Sequence, residues 1–177
     1  MSAENYLSSD DSRLLRNVLS RYSGETCLEI GAGNGGGLEV LSKSFRLAVG
    51  TDLQPPSELH GLEPSQFVLA DSASCFREES FDLVAFNPPY VPSDVIEDRT
   101  TDGGKGGIEV AMRFLQDAIR VLRRQGNILL VLSSDNPLTP IEEFCNSNAL
   151  SIRLLERMRL FYETLCVYEI RTATRAR

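Results

Sequence analysis

Thr26-Cys27-Leu28-Glu29-Ile30-Gly31-Ala32-Gly33-Asn34-Gly35-Gly36-Gly37 is the stretch that decides the fold. Its first five residues read as a strand, and the glycines that follow let the backbone turn sharply and approach a ligand closely. Leu38-Glu39-Val40-Leu41-Ser42-Lys43 then reads as a helix whose N-terminal amides would face that ligand. A second strand, Arg46 to Thr51, ends at Asp52 beside Leu53, about twenty residues beyond the first glycine. A carboxylate there can accept hydrogen bonds from ribose hydroxyls. Gly31, Gly33 and Gly36 also keep the spacing of a dinucleotide-binding loop, so two adenosine-bearing cofactors are open at this point.

Residues on either side of that loop favour a cofactor that carries an amine. Glu29, two residues before the first glycine, would attract a cation and offers a pyrophosphate nothing. A third strand, Gln66 to Ala70, ends in Asp71-Ser72, which can accept from an adenine amino group. The fourth, Phe81 to Phe86, delivers Asn87-Pro88-Pro89-Tyr90. The Asn87 amide oxygen and the Pro88 carbonyl can both accept from one NH2 group, and Tyr90 offers a face for a planar group. Proline fixes φ, so those carbonyls have little freedom to relax. Such a clamp suits the nitrogen of an amide or of an exocyclic amine. A Pro-Pro pair that merely stops a strand is the plainer reading, and the company of Glu29, Asp52 and Asp71 argues against it. Strand ends carrying Glu29, Asp52, Asp71 and Asn87 would line one crevice at the carboxyl edge of a parallel sheet.

Taken together, Glu29-Ile30-Gly31-Ala32-Gly33-Asn34-Gly35, Asp52, Asp71 and Asn87-Pro88-Pro89-Tyr90 resemble the motif series of S-adenosylmethionine-dependent class I methyltransferases. Within that superfamily they look most like the HemK-type protein glutamine N5-methyltransferases. Asp10-Asp11-Ser12-Arg13-Leu14-Leu15 is similar to the acidic segment these enzymes carry ahead of the glycine loop, and Asp102 to Val110 is similar to their glycine-rich segment. The resemblance implies a Rossmann-like α/β fold: a mostly parallel seven-stranded sheet with a C-terminal antiparallel strand and helices on both faces. It implies S-adenosylmethionine among Ser12, Glu29, Gly31, Gly33, Asp52, Leu53, Asp71, Ser72 and Asn87, with Asn87, Pro88, Pro89 and Tyr90 as the catalytic set. Ser12 enters by resemblance alone.

About two dozen residues precede the glycine loop, which makes the chain look like the short eukaryotic and archaeal branch. That branch lacks the helical substrate-recognition domain of bacterial members and acts on the class I translation termination factor. The resemblance therefore implies N5-methylation of the glutamine in a Gly-Gly-Gln motif. It also implies a small zinc-binding activator subunit, which would meet the chain at the strand spanning residues 66–70. The chain departs from the family where an aromatic often precedes the glycine-rich segment: Thr101 and Asp102 stand there instead.

Other activities share parts of this pattern. An adenine N6-methyltransferase uses the same clamp, but it must extract its base and grip a phosphate backbone. A net charge of −7, no Trp and no evident target-recognition domain argue against direct nucleic-acid binding. Arg120, Arg123 and Arg124, and the tail from Arg171 to Arg177, are the local basic surfaces, and read more simply as a solvated helix face and a frayed end. Lysine methylation of another protein suits two acceptors less well than an NH2 group does. A scaffold that binds a partner without turnover sits poorly with the complete motif set.

At 177 residues the chain fits a single domain spanning 1–177 with a sizeable core. Cys27, Cys75, Cys145 and Cys166 lack C-x-x-C spacing and His60 is the sole histidine, so zinc is not expected within this chain. The thiols suit a reducing compartment, the N-terminus lacks a secretory pattern, and runs such as Ile128 to Leu132 are too short to span a bilayer. A cytoplasmic or nuclear protein without a membrane partner is expected. Periodicity predicts helices from Ser12 to Tyr22 and from Val110 to Leu122, and a third opening with Thr139 as N-cap and Pro140 at the first position. Val121 to Gly126 and Gly103 to Gly107 read as loops. Asn127 to Leu132 reads as the fifth strand, with Ser151 to Met158 and Glu163 to Ile170 as a terminal antiparallel pair.

Overall fold

Apolar strand runs alternate with amphipathic helices, and the result is a doubly wound sheet in the computed structural model, which describes residues 9–56 and 66–172. In chain order the strands are β1 (Gly24–Ile30), β2 (Phe45–Asp52), β3 (Phe67–Leu69), β4 (Phe81–Phe86), β5 (Val91–Pro92), β6 (Asp102–Gly104), β7 (Leu122–Ser133), β8 (Leu150–Arg159) and β9 (Thr164–Thr172). The helices are α1 (Asp10–Leu19), α2 (Gly36–Leu41), α3 (Glu109–Val121) and α4 (Thr139–Ser147). Seven strands form one sheet in the order β3-β2-β1-β4-β7-β9-β8. β1 is parallel to both neighbours, with Leu28 opposite Val49 on one side and Val84 on the other. β7 continues in parallel beside β4, and β9 returns antiparallel between β7 and β8. One strand therefore runs against the rest, and it is the C-terminal one.

Successive side chains of a strand point to opposite faces, so a strand covered on both must be apolar throughout. Cys27, Leu83, Ala85, Leu129 and Val131 face α1 and α2, while Leu28, Val84, Phe86, Ile128 and Leu130 face α3 and α4. The helices answer with one apolar face each: Leu14, Leu15, Val18 and Leu19 on α1, and Ala111, Phe114, Leu115 and Ala118 on α3. Each fully buried leucine or valine contributes on the order of 1.5–3 kcal/mol, which anchors both layers to the strands whose ends form the site.

Several boundaries differ from the sequence expectation. α1 starts at Asp10, because Asp10 and Asp11 suit the positive end of a helix, and it stops at Leu19 where the Ser20 amide bonds back to Arg16. The edge strand is β3, three residues long, inside the expected 66–70. Val121 to Gly126 is not a loop: β7 begins at Leu122, which pairs with Phe81 before the register shifts. Gly126 lets this happen, since a Cβ there would meet Leu122 Cγ at 2.8 Å and the Asp82 carbonyl at 2.9 Å. Gly103 to Gly107 is likewise structured: β6 pairs with β5, and a 3-10 turn covers Lys105–Gly107. In α4 the N-cap is Leu138, with Thr139 already helical. His60 and residues 173–177 of the basic tail lie outside the described residues.

Candidate functional site

Four buried side-chain oxygens have no hydrogen-bond partner among the described residues: Glu29 Oε2, Thr51 Oγ1, Ser72 Oγ and Asn87 Oδ1. Each stands at or just past the C-terminal end of one of four strands that lie side by side, β1, β2, β3 and β4. An unpaired buried polar group costs about 1–3 kcal/mol, so a row of them points to a ligand that supplies donors. Asn87 Oδ1 only accepts, and so does an ionised Glu29. A pyrophosphate brings acceptors and would leave Asn87 Oδ1 unsatisfied. An ammonium, ribose hydroxyls and an exocyclic amine bring donors, and the residues present fit S-adenosylmethionine on that ground.

The glycine loop is tied to β2. The amides of Gly31 and Ala32 both donate to the Thr51 carbonyl, at 2.8 and 2.9 Å. Asp52 accepts from the Gly33 amide at 3.0 Å and from the Gln54 amide at 3.1 Å. Gly33 has φ of +53° and open space around its Cα, so the turn needs glycine for its backbone angle. Leu53, next along, is 45% exposed. Glu29 is buried, and burial pushes its carboxyl up to about 8 against the opposing effect of the Leu38 amide, which donates to it.

Past β3, Arg113 on α3 grips both oxygens of Asp71, at 2.6 and 2.8 Å. An adenine amino group would share that carboxylate with a guanidinium. Ser72 is buried at φ +53°, in a turn that Arg120 pins by donating to the carbonyls of Ala73 and Phe76 at 2.7 and 2.6 Å. Arg123 pairs with Asp82, and Arg124 with Glu79. The three arginines are thus engaged within the chain, though only Arg120 lies on a helix: Arg123 and Arg124 belong to β7 and not to the solvated helix face expected of them.

Asn87 follows the fully buried Phe86, and its clamp is held from three directions. From α1, Asp11 accepts from the Tyr90 hydroxyl at 3.2 Å. Burial works to raise the Asp11 carboxyl, but hydrogen bonds from Ser9, Asn87, the Ser12 amide and Tyr90 outweigh it and hold the group below its usual range. From the loop after β7, Asn136 Nδ2 donates to the Tyr90 carbonyl at 2.8 Å. From the glycine-rich segment, the backbone itself leans on the clamp. A Cβ on Gly103 would lie 2.7 Å from the Pro89 carbonyl, and one on Gly107 would collide with the Tyr90 carbonyl. Those glycines are there because two stretches of backbone pass in contact.

Ser12 lies in the same first turn as Asp11, its amide donating to Asp11 Oδ1 at 2.6 Å and its hydroxyl accepting from Ser9 at 2.9 Å. A cleft of about 960 Å³ opens beside the row of strand ends, walled by Leu53, Asp71, Pro89, Lys105, Arg113 and Phe114. Thr51, Asp11 and Asn136 were missed by sequence reasoning. Thr51 directly precedes Asp52 and Asp11 sits in the acidic segment before the loop, so both carried a local signal. Asn136 carried none.

No protein-family profile matches the chain. Its sequence is 28% identical over 184 residues, 93% of this chain and 90% of the relative, to a Methanocaldococcus jannaschii protein named "Putative protein N5-glutamine methyltransferase". In structure it is similar to a chain of the E. cuniculi Mtq2-Trm112 complex responsible for methylation of the eRF1 translation termination factor. The TM-score is 0.80 at 29% identity, covering 94% of this chain and 97% of that one. A Burkholderia thailandensis 1,6-didemethyltoxoflavin-N1-methyltransferase with bound S-adenosylhomocysteine shares the fold alone, at TM-score 0.64 and 14% identity over 96% of this chain and 81% of that one. The fold is that of class I methyltransferases, and the likeness read from the motif series extends to protein glutamine N5-methyltransferases.

Proposed function

We propose that this chain is an S-adenosylmethionine-dependent methyltransferase that modifies the side-chain amide of the glutamine in the Gly-Gly-Gln motif of a class I translation termination factor. Asn87 Oδ1 carries the reading: a buried acceptor with no partner among the described residues, at the end of β4 and next to two prolines. The similarity to a relative named for protein glutamine N5-methylation, and to a chain of a complex that methylates a translation termination factor, supports the amide over adenine as the acceptor.

When bound, S-adenosylmethionine supplies a methyl group already activated by its sulfonium. An amide nitrogen is a poor nucleophile because its lone pair is delocalised into the carbonyl. Asn87 Oδ1 and the Pro88 carbonyl would accept one N–H each, bonds that strengthen as positive charge develops on that nitrogen. Tyr90 walls in the planar group. Glu29 would take the ammonium of the cofactor, which draws its proton off, and Asp52 the ribose hydroxyls. Orientation of the amide in a near-attack geometry contributes up to about 7–11 kcal/mol in ideal cases.

The chain works with a small partner subunit, and we assign zinc to that subunit. β3 is a sheet edge with Leu69 59% exposed. It carries no Pro or Lys to discourage a strand from another chain. The test is mass spectrometry of a class I release factor incubated with labelled methyl donor and this chain, with and without the subunit. One methyl on the Gly-Gly-Gln glutamine is expected. A methyl on lysine, or none under either condition, overturns the assignment.

A further inference from the structure

We propose that Asn136 is a positioning residue that sets the acceptor clamp by holding the Tyr90 and Gly106 carbonyls at once. The inference deepens the clamp reading given above and rests on it. Each proline fixes its own φ and confines the ψ of the residue before it, so residues 87–89 move as one stiff piece. One end of that piece is fastened to β4 through the fully buried Phe86. The other end is the backbone of Tyr90, and Asn136 fastens it. Its Nδ2 donates to the Tyr90 carbonyl at 2.8 Å and to the Gly106 carbonyl at 3.4 Å, while its Oδ1 accepts from the Ser133 amide at 3.0 Å. Two acceptors stand at one end of the side-chain amide and a donor at the other, so only one orientation of Asn136 satisfies all three. Slack at Tyr90 would swing the Pro88 carbonyl, the second acceptor for the substrate NH2, out of line with Asn87 Oδ1.

The latch is built into the fold. Asn136 is 7% exposed, and a Cβ at Gly107 would collide with both its Nδ2 and the Tyr90 carbonyl. The turn that carries it is tied to the sheet: the Asn136 amide donates to the Ser133 carbonyl at 3.1 Å, and the Ser134 amide to the Thr164 carbonyl of β9 at 2.8 Å. The residues read as holding the cofactor, Glu29, Asp52 and Asp71, stand at the ends of β1, β2 and β3, on the far side of β4 from this turn. Loss of the latch should therefore impair transfer and spare cofactor binding.

The experiment compares Asn136→Asp, Asn136→Ala and Ser133→Ala in the complex of this chain with its small subunit. Asn136→Asp keeps an oxygen for the Ser133 amide, which preserves the turn, but has no N–H for the two carbonyls. Asn136→Ala loses both ends. Ser133→Ala loosens the same turn, since Ser133 Oγ accepts from the Asp135 amide at 3.2 Å, and leaves the latch in place. A reacting group misplaced by about 1 Å costs up to about 10²-fold in rate. Both Asn136 variants are thus expected to lower kcat by about 10–100-fold, with KM for the release factor and cofactor affinity within about threefold of wild type, and Ser133→Ala to keep the wild-type kcat. Hydrogen exchange gives a readout without substrate. The Val91 amide, bonded to the Thr101 carbonyl at 2.9 Å, and the Gly104 amide, bonded to Ser93 Oγ at 3.3 Å, should exchange at least about tenfold faster in both Asn136 variants and normally in Ser133→Ala. The Ser133 amide should stay protected in Asn136→Asp. Wild-type kcat in Asn136→Asp, a cofactor affinity that falls in step with kcat, or unchanged exchange at Val91 and Gly104 each overturns the inference. Full turnover in Asn87→Ala sinks the clamp reading instead, whereas a dead Asn87→Ala beside a normal Asn136→Asp removes the role of Asn136 alone.

Discussion

The carboxylate of Glu29 occupies the space that a side chain at Gly37 would need. A Cβ at that position would collide with Glu29 Oε1 and sit 2.7 Å from Cδ. The acidic residue before the glycine loop and the last glycine of that loop are therefore a matched pair. Gly37→Ala is expected to push Glu29 out of place, weakening S-adenosylmethionine binding at least tenfold and costing about 1–3 kcal/mol in overpacking. Calorimetric titration and urea unfolding measure the two effects, and an unchanged cofactor affinity would show that Glu29 does not hold the ligand.

Burial raises the Glu29 carboxyl to about 8 in the folded chain, above its unfolded value. The folded state then holds a proton that the unfolded state has released, so stability from this group is full below the unfolded pKa and is lost as pH rises through about 8. The opposite shifts, at Asp11, Asp82 and Glu169, are already complete by neutral pH. The cofactor-free protein should lose a few kcal/mol between about pH 5 and 8.5, seen as a falling Tm. Glu29→Gln, neutral throughout, should flatten that fall and melt higher than wild type at the alkaline end. Parallel Tm curves for the two proteins would contradict the buried-carboxylate account.

Asp52 has two tasks, and variants separate them. It holds the Gly33 amide and, in the proposed function, would offer oxygen to ribose hydroxyls. Asp52→Asn keeps one acceptor, while Asp52→Ala keeps none. Charge-assisted hydrogen bonds are worth about 1.5–3 kcal/mol each, so cofactor affinity should fall about tenfold in the first and about a hundredfold or more in the second. Equal, wild-type affinities by titration would move the ribose elsewhere.

The sheet and most of this site could be read from the sequence because their signals are local. Leu28, Val84 and Ile128 sit in strand runs apolar on both faces, and Glu29, Asp52, Asp71 and Asn87 fall at strand ends where glycine, Asp and Pro interrupt those runs. Contacts between distant segments were not legible. Arg113 on Asp71, Asn136 on the Tyr90 carbonyl and Asp11 on the clamp join residues 42, 46 and 79 positions apart. Gly103 to Gly107 read as a loop because a glycine demanded by close backbone contact is indistinguishable, in sequence, from one that supplies freedom. The early start of β7 was hidden for a related reason: Leu122 completes the helical spacing of α3 as well as it pairs with Phe81.

Asn87→Ala removes the acceptor and leaves the core untouched, since its side-chain oxygen has no partner to lose. Methyl transfer to the release factor should fall on the order of 10²–10³, by analogy with deleting one positioned oxyanion-hole group. Cofactor binding should persist within a few-fold and Tm within a degree or two. Near-normal turnover would mean that the acceptor nitrogen is gripped by other atoms.

Among the described residues β3 and β8 are the two edge strands of the sheet, and they differ in how they are defended. β8 is ten residues long but carries Arg153, Arg157 and Arg159, charges that discourage an added strand. β3 is three residues long, with Leu69 59% exposed and no charge of its own. The partner subunit should therefore dock at β3. Leu69→Lys places a charge on that edge at a site exposed enough to leave the fold within about 0.5 kcal/mol, and should abolish co-purification with the small subunit. Leu154→Lys, at a 47% exposed position on β8, is the matched control and should leave the pair intact. Size-exclusion chromatography of the co-expressed proteins reads both. Loss of the complex in Leu154→Lys with retention in Leu69→Lys would place the subunit on the opposite edge.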